Sequence, residues 1–297
     1  MSEAPSDPRP SRELVGLLLN FRDAGRSFRC IQSLLANGLE HVLVWDNSED
    51  DGQSSKALLA LLCEERRVSV ASEGGNLGFA AGVNRGLDWI RERFPNARVL
   101  LINNDAELVL EGAQKLVSAL ETVQSAVIAY PQISHGGRVI GTGFYQRRLG
   151  LIAFDRRRHT DVWIPHASGC CQLLDPRRLQ GPWFDEHFFM YGEDVELGAR
   201  LGEAGMAFVR EALVIHEGSA SSGLGSHFYE TRMVLAHLLL VSRLARSSYE
   251  RLLCYGGRLL TLPLRAIVRS IRYRSMVPLR ALGEGLSLAL QAIRKQG

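Results

Sequence analysis

The sequence is poor in cysteine and contains no long apolar run, and each shortage excludes a class of protein. Its five cysteines form no Cys-x-x-Cys pair and no regular framework, so we expect reduced thiols, with the adjacent Cys170 and Cys171 half-buried. No stretch approaches the ~18–20 consecutive apolar residues of a membrane-spanning helix. Ten prolines and 29 glycines in 297 residues exclude collagen-like and disordered chains.

The N-terminal segment also lacks an apolar core. Residues 1–12 are polar and proline-rich, which excludes a signal peptide or an N-terminal membrane anchor and predicts a disordered leader. The remaining length suits one large domain or two modest ones. We therefore expect a cytoplasmic protein.

The charge is unevenly distributed along the chain. The net charge is only +3, but residues 1–231 carry 23 Lys and Arg against 30 Asp and Glu, whereas residues 232–297 carry 12 against 2. The sequence therefore predicts an acidic body, residues 13–231, followed by a separate basic tail, residues 232–297.

Apolar runs of strand length alternate with helical patterns through the first half of the chain. Strands are predicted near residues 14–19, 42–45, 68–71, 99–102 and 127–130, and helices near residues 28–37, 55–66, 79–93 and 112–122. Because the strands are continuously apolar, they suit a sheet that is buried on both faces. The pattern predicts an α/β fold with a mostly parallel sheet.

Polar residues follow the carboxyl ends of several predicted strands. Asp46, Asn76 and Asp105 each stand at such an end, and ligands of open α/β sheets bind at that edge. We therefore expect one site there. The alternative is that Asp, Asn and Gly only form turns at these positions.

The alternation stops after residue 131. Residues 132–192 are predicted to form an irregular second half that covers the ligand edge, followed by a helix over 193–206 with Glu193 and Asp194 in its first turn. Two short strands, 207–210 and 213–215, then lead to His216.

Four groups at element boundaries point to phosphate chemistry. Asp105 with His216 suits a divalent cation whose other ligands come from a diphosphate, and Asp194 suits a general base. The pattern favours substitution with a phosphate leaving group, and Asp46 adds another acid at the same edge. The alternatives are helix capping for Glu193 and Asp194 and a structural role for His216.

At this point the chain resembles the family 2 glycosyltransferases of the GT-A fold, especially their bacterial rhamnosyltransferase-like branch. The matching segments are residues 19–22 (LNFR), 44–48 (VWDNS), 50–52 (DDG), 76–86 (NLGFAAGVNRG), 101–105 (LINND), 174–178 (LDPRR) and 184–197 (FDEHFFMYGEDVEL), with Gly169, His216, Gly218 and Ser221. They occur in the family's order over residues 13–222. The resemblance implies a Rossmann-like, mostly parallel nucleotide-diphospho-sugar transferase sheet, followed here by basic amphipathic helices.

The resemblance also implies a role for each matching residue. The residues expected to bind the donor nucleotide are Asn20, Asp46, Asn47, Asn76, Gly78, Phe79, Asn84 and Asn104. Asp105 and His216 would bind Mg²⁺ or Mn²⁺, and Asp194 would be the catalytic base. Gly169, Asp185, Glu193 and Tyr191 would contact the acceptor or support the site.

The implied reaction is an inverting transfer of a sugar from a nucleotide-sugar donor, with dTDP-rhamnose as the best-supported donor. The acceptor would be a glycan or a polyprenol-linked sugar in cell-surface polysaccharide synthesis. The sequence departs from the family in the metal motif, where Asn103 replaces the first acid of Asp-x-Asp. Only Asp105 supplies a charge there, so His216 becomes more important as a metal ligand. The alternatives are a nucleotidyltransferase on a similar fold and a non-catalytic nucleotide-sugar-binding or scaffold subunit.

The sequence of the basic tail predicts strongly apolar helices with interleaved arginines. Basic amphipathic helices lie on anionic membrane surfaces, so we expect peripheral association with the inner face of the cytoplasmic membrane. The alternative is packing on the catalytic domain or on a second subunit in a homo-oligomer. Aromatic residues are sparse in the tail and no binding motif occurs there, so nucleic acid is not expected as a partner.

Overall fold

The structure is a computed structural model that describes residues 12–154, 162–217 and 223–294. The predicted leader, except for Arg12, lies outside the described residues, as do Gly218 and Ser221 of the family pattern.

Strands and helices alternate in the first half of the chain. The elements are β1 (Leu14–Asn20), α1 (Ala24–Ala36), β2 (His41–Asp46), α2 (Gln53–Leu62), β3 (Val68–Ala71), α3 (Gly78–Arg93), β4 (Arg98–Ile102), β5 (Ala106–Leu108) and α4 (Gly112–Thr122). The predicted alternation is confirmed.

The second half is rich in short strands and ends in three helices. Its elements are β6 (Ile128–His135), β7 (Arg138–Ile140), β8 (Gly143–Gln146), β9 (Leu151–Phe154), β10 (Trp163–His166), β11 (Cys171–Leu174), α5 (Glu193–Leu201), a 3₁₀ turn (Glu203–Gly205), β12 (Met206–His216), α6 (His227–Leu244), α7 (Ser248–Tyr273) and α8 (Val277–Arg294).

A large mixed sheet forms the centre of the molecule. Its strand order is β3-β2-β1-β4-β11-β6-β12-β5, with β7 paired to β6, and β8 lies between β10 and β9 in a separate three-stranded sheet. Strands β1 to β4 are mutually parallel, whereas β11 is antiparallel to both β4 and β6. The α/β class with a mostly parallel sheet is confirmed.

The continuous apolar pattern of β1 has a direct structural cause. Leu18 packs on one face of the sheet with Ile31 of α1, and Leu17 packs on the other with Val83 of α3. A Cβ atom on Gly86 would lie 2.6 Å from Leu17 Cδ1, so glycine lets α3 lie close against the strand. Because helices cover both faces of the sheet, the side chains that point to either face are buried. Consecutive positions along β1 are therefore apolar, instead of alternating apolar and polar residues.

Several sequence-based boundaries were wrong. Helix α2 ends at Leu62 rather than at residue 66, since Cys63 and Glu64 adopt positive φ angles of 47° and 63°. Helix α5 ends at Leu201, ahead of Gly202, and the two strands predicted after it are one strand, β12, with an irregularity in its pairing between Val209 and Val214.

The segment predicted to be irregular, residues 132–192, contains five strands of its own in its described part. These strands are only three or four residues long, so they give no clear alternation in the sequence. Strand β11 enters the middle of the main sheet, which leaves Cys170 and Cys171 at 5% and 0% exposure rather than half-buried. Residues 155–161 lie outside the described residues.

The C-terminal helices share a hydrophobic core with the body. Residues of α6 and α7 pack together with Tyr145, Phe188 and Val195, and the sequence-based boundary at residue 231 falls within α6. Within the described residues, no helix combines the length and hydropathy needed to span a bilayer.

A buried carboxylate ties α6 to α7. Glu230 is fully buried, and its Oε2 accepts a hydrogen bond from Arg265 Nη1 at 2.8 Å while its Oε1 accepts one from Arg269 Nε at 2.7 Å. Two of the tail arginines therefore satisfy an internal acid instead of facing solvent.

A second buried contact ties α7 to the small sheet. Arg258 is 1% exposed, and its guanidinium donates to the carbonyl oxygens of Arg147 and Arg148 at 2.9 and 2.8 Å and to the Tyr145 hydroxyl at 2.9 Å. The turn between β8 and β9 is therefore held against α7 by a charged side chain rather than by apolar packing alone.

We expect Glu230→Gln to lower the free energy of unfolding by about 2–3 kcal/mol, because Arg265 and Arg269 would lose their buried counter-charge. Urea denaturation measures this difference. The matched control is Glu284→Gln, since Glu284 pairs with His227 on an exposed surface, and its expected change is below about 0.5 kcal/mol. Equal effects of the two substitutions would contradict the prediction.

Candidate active site

A cavity of about 570 Å³ lies at the carboxyl ends of β1 and β4 and at the end of β12. Helix α3 and the starts of α5 and α6 close its sides. The cavity is lined by twelve of the residues singled out in the sequence, namely Asn20, Asn47, Asn76, Gly78, Phe79, Asn104, Asp105, Gly169, Tyr191, Glu193, Asp194 and His216.

Asp46 lies beneath the cavity and does not line it. Its Oδ1 accepts hydrogen bonds from Asn20 Nδ2 and from the Ser48 amide, both at 3.0 Å, and its Oδ2 accepts one from the Ser55 hydroxyl. The side chain is 2% exposed. The structure thus places Asp46 where it orients Asn20 and the turn after β2, and its contact with the donor nucleotide stays a prediction.

Asn104 belongs to the same polar network. Its Nδ2 donates to Ser27 Oγ at 3.2 Å, and the Ser27 hydroxyl donates to Asn20 Oδ1 at 2.7 Å. Amides from the ends of β1 and β4 are therefore held in one orientation along the cavity wall.

The loop before α3 needs glycine at its first helical position. Gly78 has a φ of +79°, and a Cβ atom there would lie 2.2 Å from the Phe189 carbonyl oxygen. Asn76 Oδ1 accepts a hydrogen bond from the Gly78 amide at 2.9 Å, and Asn47 Nδ2 donates to the Gly78 carbonyl at 2.8 Å. The Phe79 amide donates to Phe189 O at 2.7 Å. Two distant parts of the chain are thereby fixed together beside the cavity.

Asn84 and Asp185, both predicted to lie at the site, do not line the cavity. Asn84 Nδ2 donates to Phe184 O at 2.8 Å, and Asn84 Oδ1 accepts from the Phe184 amide at 3.1 Å. Asp185 accepts from His187 Nδ1 and Arg243 Nε, both at 2.6 Å. These contacts fix the segment that leads to α5, so both residues support the site from outside.

Asp105 and His216 meet at one wall of the cavity. Strand β5 pairs antiparallel with β12 so that His216 lies opposite Ala106, and His216 Nε2 lies 3.1 Å from Asp105 Oδ1. On its other side, His216 Nδ1 lies 3.2 Å from Nδ1 of His135. Sequence reasoning missed His135, because only the pairing of β6 with β12 brings it beside His216.

These two side chains suit a divalent cation with a bridging diphosphate. A carboxylate oxygen and an imidazole nitrogen are both ligands of Mn²⁺, and Mg²⁺ accepts the carboxylate while taking phosphate oxygens. Within the described residues there is no group of three or more His, Cys, Asp or Glu placed to hold a metal ion. The remaining ligands would therefore have to come from substrate or water.

Glu193 and Asp194 lie in the first turn of α5, and both line the cavity. Gly192 caps the helix with a φ of 94° and no side-chain hydrogen bond, while Asp194 Oδ1 accepts from the Val195 amide at 2.8 Å. Asp194 thus satisfies one helix amide and also lines the cavity. Capping and a role in the site are compatible here.

Glu193 is an unusual carboxyl group. It is 6% exposed, and its Oε2 has no hydrogen-bond partner among the described residues. Burial, followed by the neighbouring Asp194 charge, raises the pKa of Glu193 to about 8. At neutral pH this side chain is therefore mostly protonated.

The remaining predicted residues complete the wall on the α5 side. A Cβ atom at Gly169 would lie 3.6 Å from the Phe79 ring and 3.9 Å from Glu193 Oε1, so a side chain there would reduce the space beside Glu193. The Tyr191 ring makes an edge contact with Tyr229 of α6 at 5.2 Å between centroids.

Sequence reasoning missed several lining residues. Ser226 and Phe228, at the start of α6, line the same cavity although we assigned them no role, and Ser168, Cys170 and Met190 do so as well. A clear signal was absent because these are ordinary core or turn residue types. Only the fold brings the beginning of α6 to the strand ends.

A family model and two curated relatives match the sequence. The model for glycosyl transferase family 2 matches residues 28–178. An N-acetylglucosaminyl-diphospho-decaprenol L-rhamnosyltransferase of Mycobacterium tuberculosis is 28% identical over 232 residues, which is 66% of this chain and 74% of the relative. The O-antigen biosynthesis protein RfbC of Myxococcus xanthus is 30% identical over 151 residues, which is 45% of this chain but only 12% of that protein.

Solved structures share the fold at low sequence identity. The crystal structure of GalNAc-T7 with UDP, GalNAc and Mn²⁺ aligns with a TM-score of 0.58 and 13% identity over 84% of this chain. This chain covers about half of that protein, 55% of its length. Residues 1–349 of S. aureus TarS align with a TM-score of 0.51 and 12% identity, over 95% of this chain and 89% of the other.

These likenesses confirm the expected GT-A fold and the expected rhamnosyltransferase-like branch. The family model covers residues 28–178, just over half of the chain, and includes the ends of β2 and β4 with Asp46 and Asp105. The chain belongs to glycosyl transferase family 2 and is a glycosyltransferase.

Proposed function

We propose that this glycosyltransferase moves a sugar, with rhamnose from dTDP-rhamnose as the leading donor, to a hydroxyl of a glycan or a lipid-linked sugar in cell-surface polysaccharide synthesis. The observation that carries the proposal is that one cavity is lined by the Asp105–His216 pair and by Asp194. The rhamnose assignment is supported by the Mycobacterium tuberculosis relative, whose name gives rhamnose as the transferred sugar.

The donor nucleotide would lie along the ends of β1, β2 and β4. Asn20, Asn47 and Asn104 line this part of the cavity, and Gly78 lies in the same wall. Their hydrogen bonds to Asp46, Gly78 and Ser27 hold these amides in place before a ligand arrives. Preorganised polar groups bind with a smaller loss of side-chain entropy.

Asp105 and His216 would hold the divalent cation, Mg²⁺ or Mn²⁺. When bound, the cation neutralises the charge that develops on the departing diphosphate. His216 Nδ1 lies 3.2 Å from His135 Nδ1, and with His216 as the donor of that hydrogen bond its Nε2, beside Asp105, would have a lone pair available for the cation. GalNAc-T7, which has the same fold, crystallised with UDP and Mn²⁺.

Asp194 would remove the proton from the acceptor hydroxyl. A direct displacement by that hydroxyl inverts the configuration at the anomeric carbon and needs a base on the side opposite the diphosphate. Glu193 supports this role because a protonated carboxyl places no second negative charge beside Asp194. Glu193 is thus the protonated neighbour of the proposed base.

The outer face of α7 would bring the enzyme to an anionic membrane surface. This face carries large apolar residues at helical spacing that are 42–73% exposed: Tyr249, Leu252, Leu253, Leu259, Leu260, Leu264, Ile267, Val268 and Ile271. Arg251, Arg272 and Arg274 are exposed on the same helix or directly after it. Exposed apolar side chains flanked by arginines match the chemistry of a bilayer with anionic headgroups.

We expect Asp194→Asn to reduce turnover by about 10²–10⁴-fold, because the acceptor hydroxyl loses its base. The assay is metal-dependent release of nucleoside diphosphate from a panel of nucleotide sugars in the presence of acceptors. Donor binding, measured by calorimetry, should be retained. The control Asp88→Asn changes an exposed carboxylate of α3 and should keep full activity. Full activity of Asp194→Asn would refute the base assignment.

We expect Glu193→Gln to change how stability depends on pH. The folded state holds a proton on Glu193 up to pH about 8, whereas the unfolded chain releases it near pH 4.5. Folding therefore binds a proton between these values, and wild-type stability decreases as pH rises through this window. Glu193→Gln should remove that contribution.

The measurement is denaturation by urea at pH 5, 6, 7 and 8. The stability difference between Glu193→Gln and the wild type should shift in favour of the variant as pH rises. Glu186→Gln, at an exposed carboxylate near the same segment, serves as the control and should show no such trend. A pH-independent difference for Glu193→Gln would show that Glu193 titrates normally.

We expect the double variant Leu260→Glu with Ile271→Glu to bind anionic vesicles at least about tenfold more weakly, since each apolar side chain contributes about 1.5–3 kcal/mol when buried. Co-sedimentation with phosphatidylglycerol-containing vesicles measures the bound fraction. A truncation is unsuitable because α6 contributes to the core. Leu59→Glu with Leu61→Glu, on the exposed face of α2, is the control. Equal binding by both double variants would contradict membrane docking through α7.

A further inference from the structure

A second, smaller cavity lies between β10, α5 and the end of α6. Its volume is about 410 Å³, which falls within the roughly 300–1,000 Å³ typical of small-molecule sites. None of the described residues that line it also lines the active-site cavity. The proposed sugar transfer therefore gives this cavity no role.

Arginine dominates the charged lining of this second cavity, which we call the arginine cavity. Arg147, Arg200, Arg243 and Arg246 line it, and Glu196 is the single acid among the described lining residues. A guanidinium presents a rigid fork of N–H donors that matches the geometry of phosphate oxygens. The lining therefore favours a ligand that carries phosphate.

Three of the four guanidiniums are each paired with one carboxylate. The pairs, with their N–O distances, are Arg147 with Glu250 at 2.8 Å, Arg200 with Glu196 at 2.8 Å, and Arg243 with Asp185 at 2.6 Å. These contacts hold the arginine side chains before a ligand arrives. Binding therefore costs less side-chain entropy than it would with three mobile arginines.

Arg246 carries the charge that is left over. Its backbone amide donates to Glu250 Oε2 at 2.8 Å, but among the described residues its guanidinium has no hydrogen-bond or ion-pair partner. Four guanidiniums beside three carboxylates leave one uncompensated positive charge. A phosphodiester carries one negative charge and matches this excess, whereas a phosphomonoester carries about 1.5–2 at neutral pH.

The arginine cavity lies beside the start of α7. Arg246 precedes Tyr249 by three residues, and Tyr249 and Leu252 are both 71% exposed. Arg147 contacts the first turn of α7 through Glu250. A phosphate site thus adjoins the exposed apolar face of α7, as the phosphate adjoins the acyl chains in a phospholipid.

We propose that the arginine cavity binds the phosphodiester of an anionic phospholipid headgroup, with the acyl chains lying against the outer face of α7. The lipid is bound and not transformed. This inference goes beyond sugar transfer and rests on the proposed docking of α7 on a membrane. General attraction between charges needs only arginines near the surface, whereas the cavity also selects the headgroup.

Calorimetry on the full chain tests headgroup binding, with glycerophosphoglycerol, the soluble headgroup of phosphatidylglycerol, and inorganic phosphate as probes. The wild type should bind glycerophosphoglycerol saturably and more tightly than inorganic phosphate. Arg246→Gln should weaken this binding at least about tenfold, because the ligand loses a charged hydrogen-bond donor. The matched control Arg251→Gln removes an exposed arginine of α7 that lines neither cavity, and it should bind the headgroup like the wild type.

Co-sedimentation with phosphatidylglycerol-containing vesicles tests the lipid source. Loss of one arginine near an anionic surface weakens binding about fivefold without any specific site. Arg251→Gln should show this general loss. Arg246→Gln should lose at least about fivefold more, since it also loses the headgroup contact.

Three results would overturn the proposal. They are no saturable binding of glycerophosphoglycerol, equal losses in Arg246→Gln and Arg251→Gln, or tighter binding of inorganic phosphate, which would make the ligand a soluble phosphate. The double variant Leu260→Glu with Ile271→Glu separates this site from α7 docking, since it should bind glycerophosphoglycerol normally while losing vesicle binding. If it binds vesicles like the wild type, docking through α7 and the assigned acyl-chain position fail, and headgroup binding by the cavity stands.

Discussion

The close approach of Gly78 to the Phe189 backbone is the constraint on which the site depends. It brings the loop before α3, which comes from the first half of the chain, against the segment that ends in Glu193 and Asp194. No residue with a Cβ atom fits at that distance, and the positive φ angle of Gly78 adds a second reason for glycine. The proposed donor-binding and catalytic parts of the cavity are therefore fixed relative to each other by backbone contact rather than by flexible side chains.

The electrostatics of the site follow from how deeply each carboxyl group is buried. Asp46 is buried but accepts three hydrogen bonds, so it acts as an anchor for the turn and for Asn20. Glu193 is buried beside another acid, and burial raises its pKa to about 8. Asp105 lies against His216 at the cavity wall. Acids within one small region thus acquire different roles because of solvent exposure and partners, not because of residue type.

Helix α7 packs on the body with one face and leaves its opposite face exposed. Glu230 and Arg258 hold α7 to α6 and to the small sheet by buried charged contacts, while the opposite face of α7 leaves a row of leucines and isoleucines exposed. The tail therefore packs on the catalytic domain and also has the exposed surface that membrane association would require. Some arginines complete internal ion pairs, and others flank an apolar surface that a membrane would cover under our proposal.

The sequence by itself determined the α/β fold, the order of the first strands and helices, and most residues of the larger cavity. Continuous apolar runs mark strands that are buried on both faces, and polar residues at their carboxyl ends converge because parallel strands end at one edge. Tertiary structure alone decided that β11 enters the main sheet, that Asp46 lies beneath the cavity, and that His135 meets His216. These features arise from pairings between distant segments, and short strands or single side chains carry no local periodicity that would reveal them.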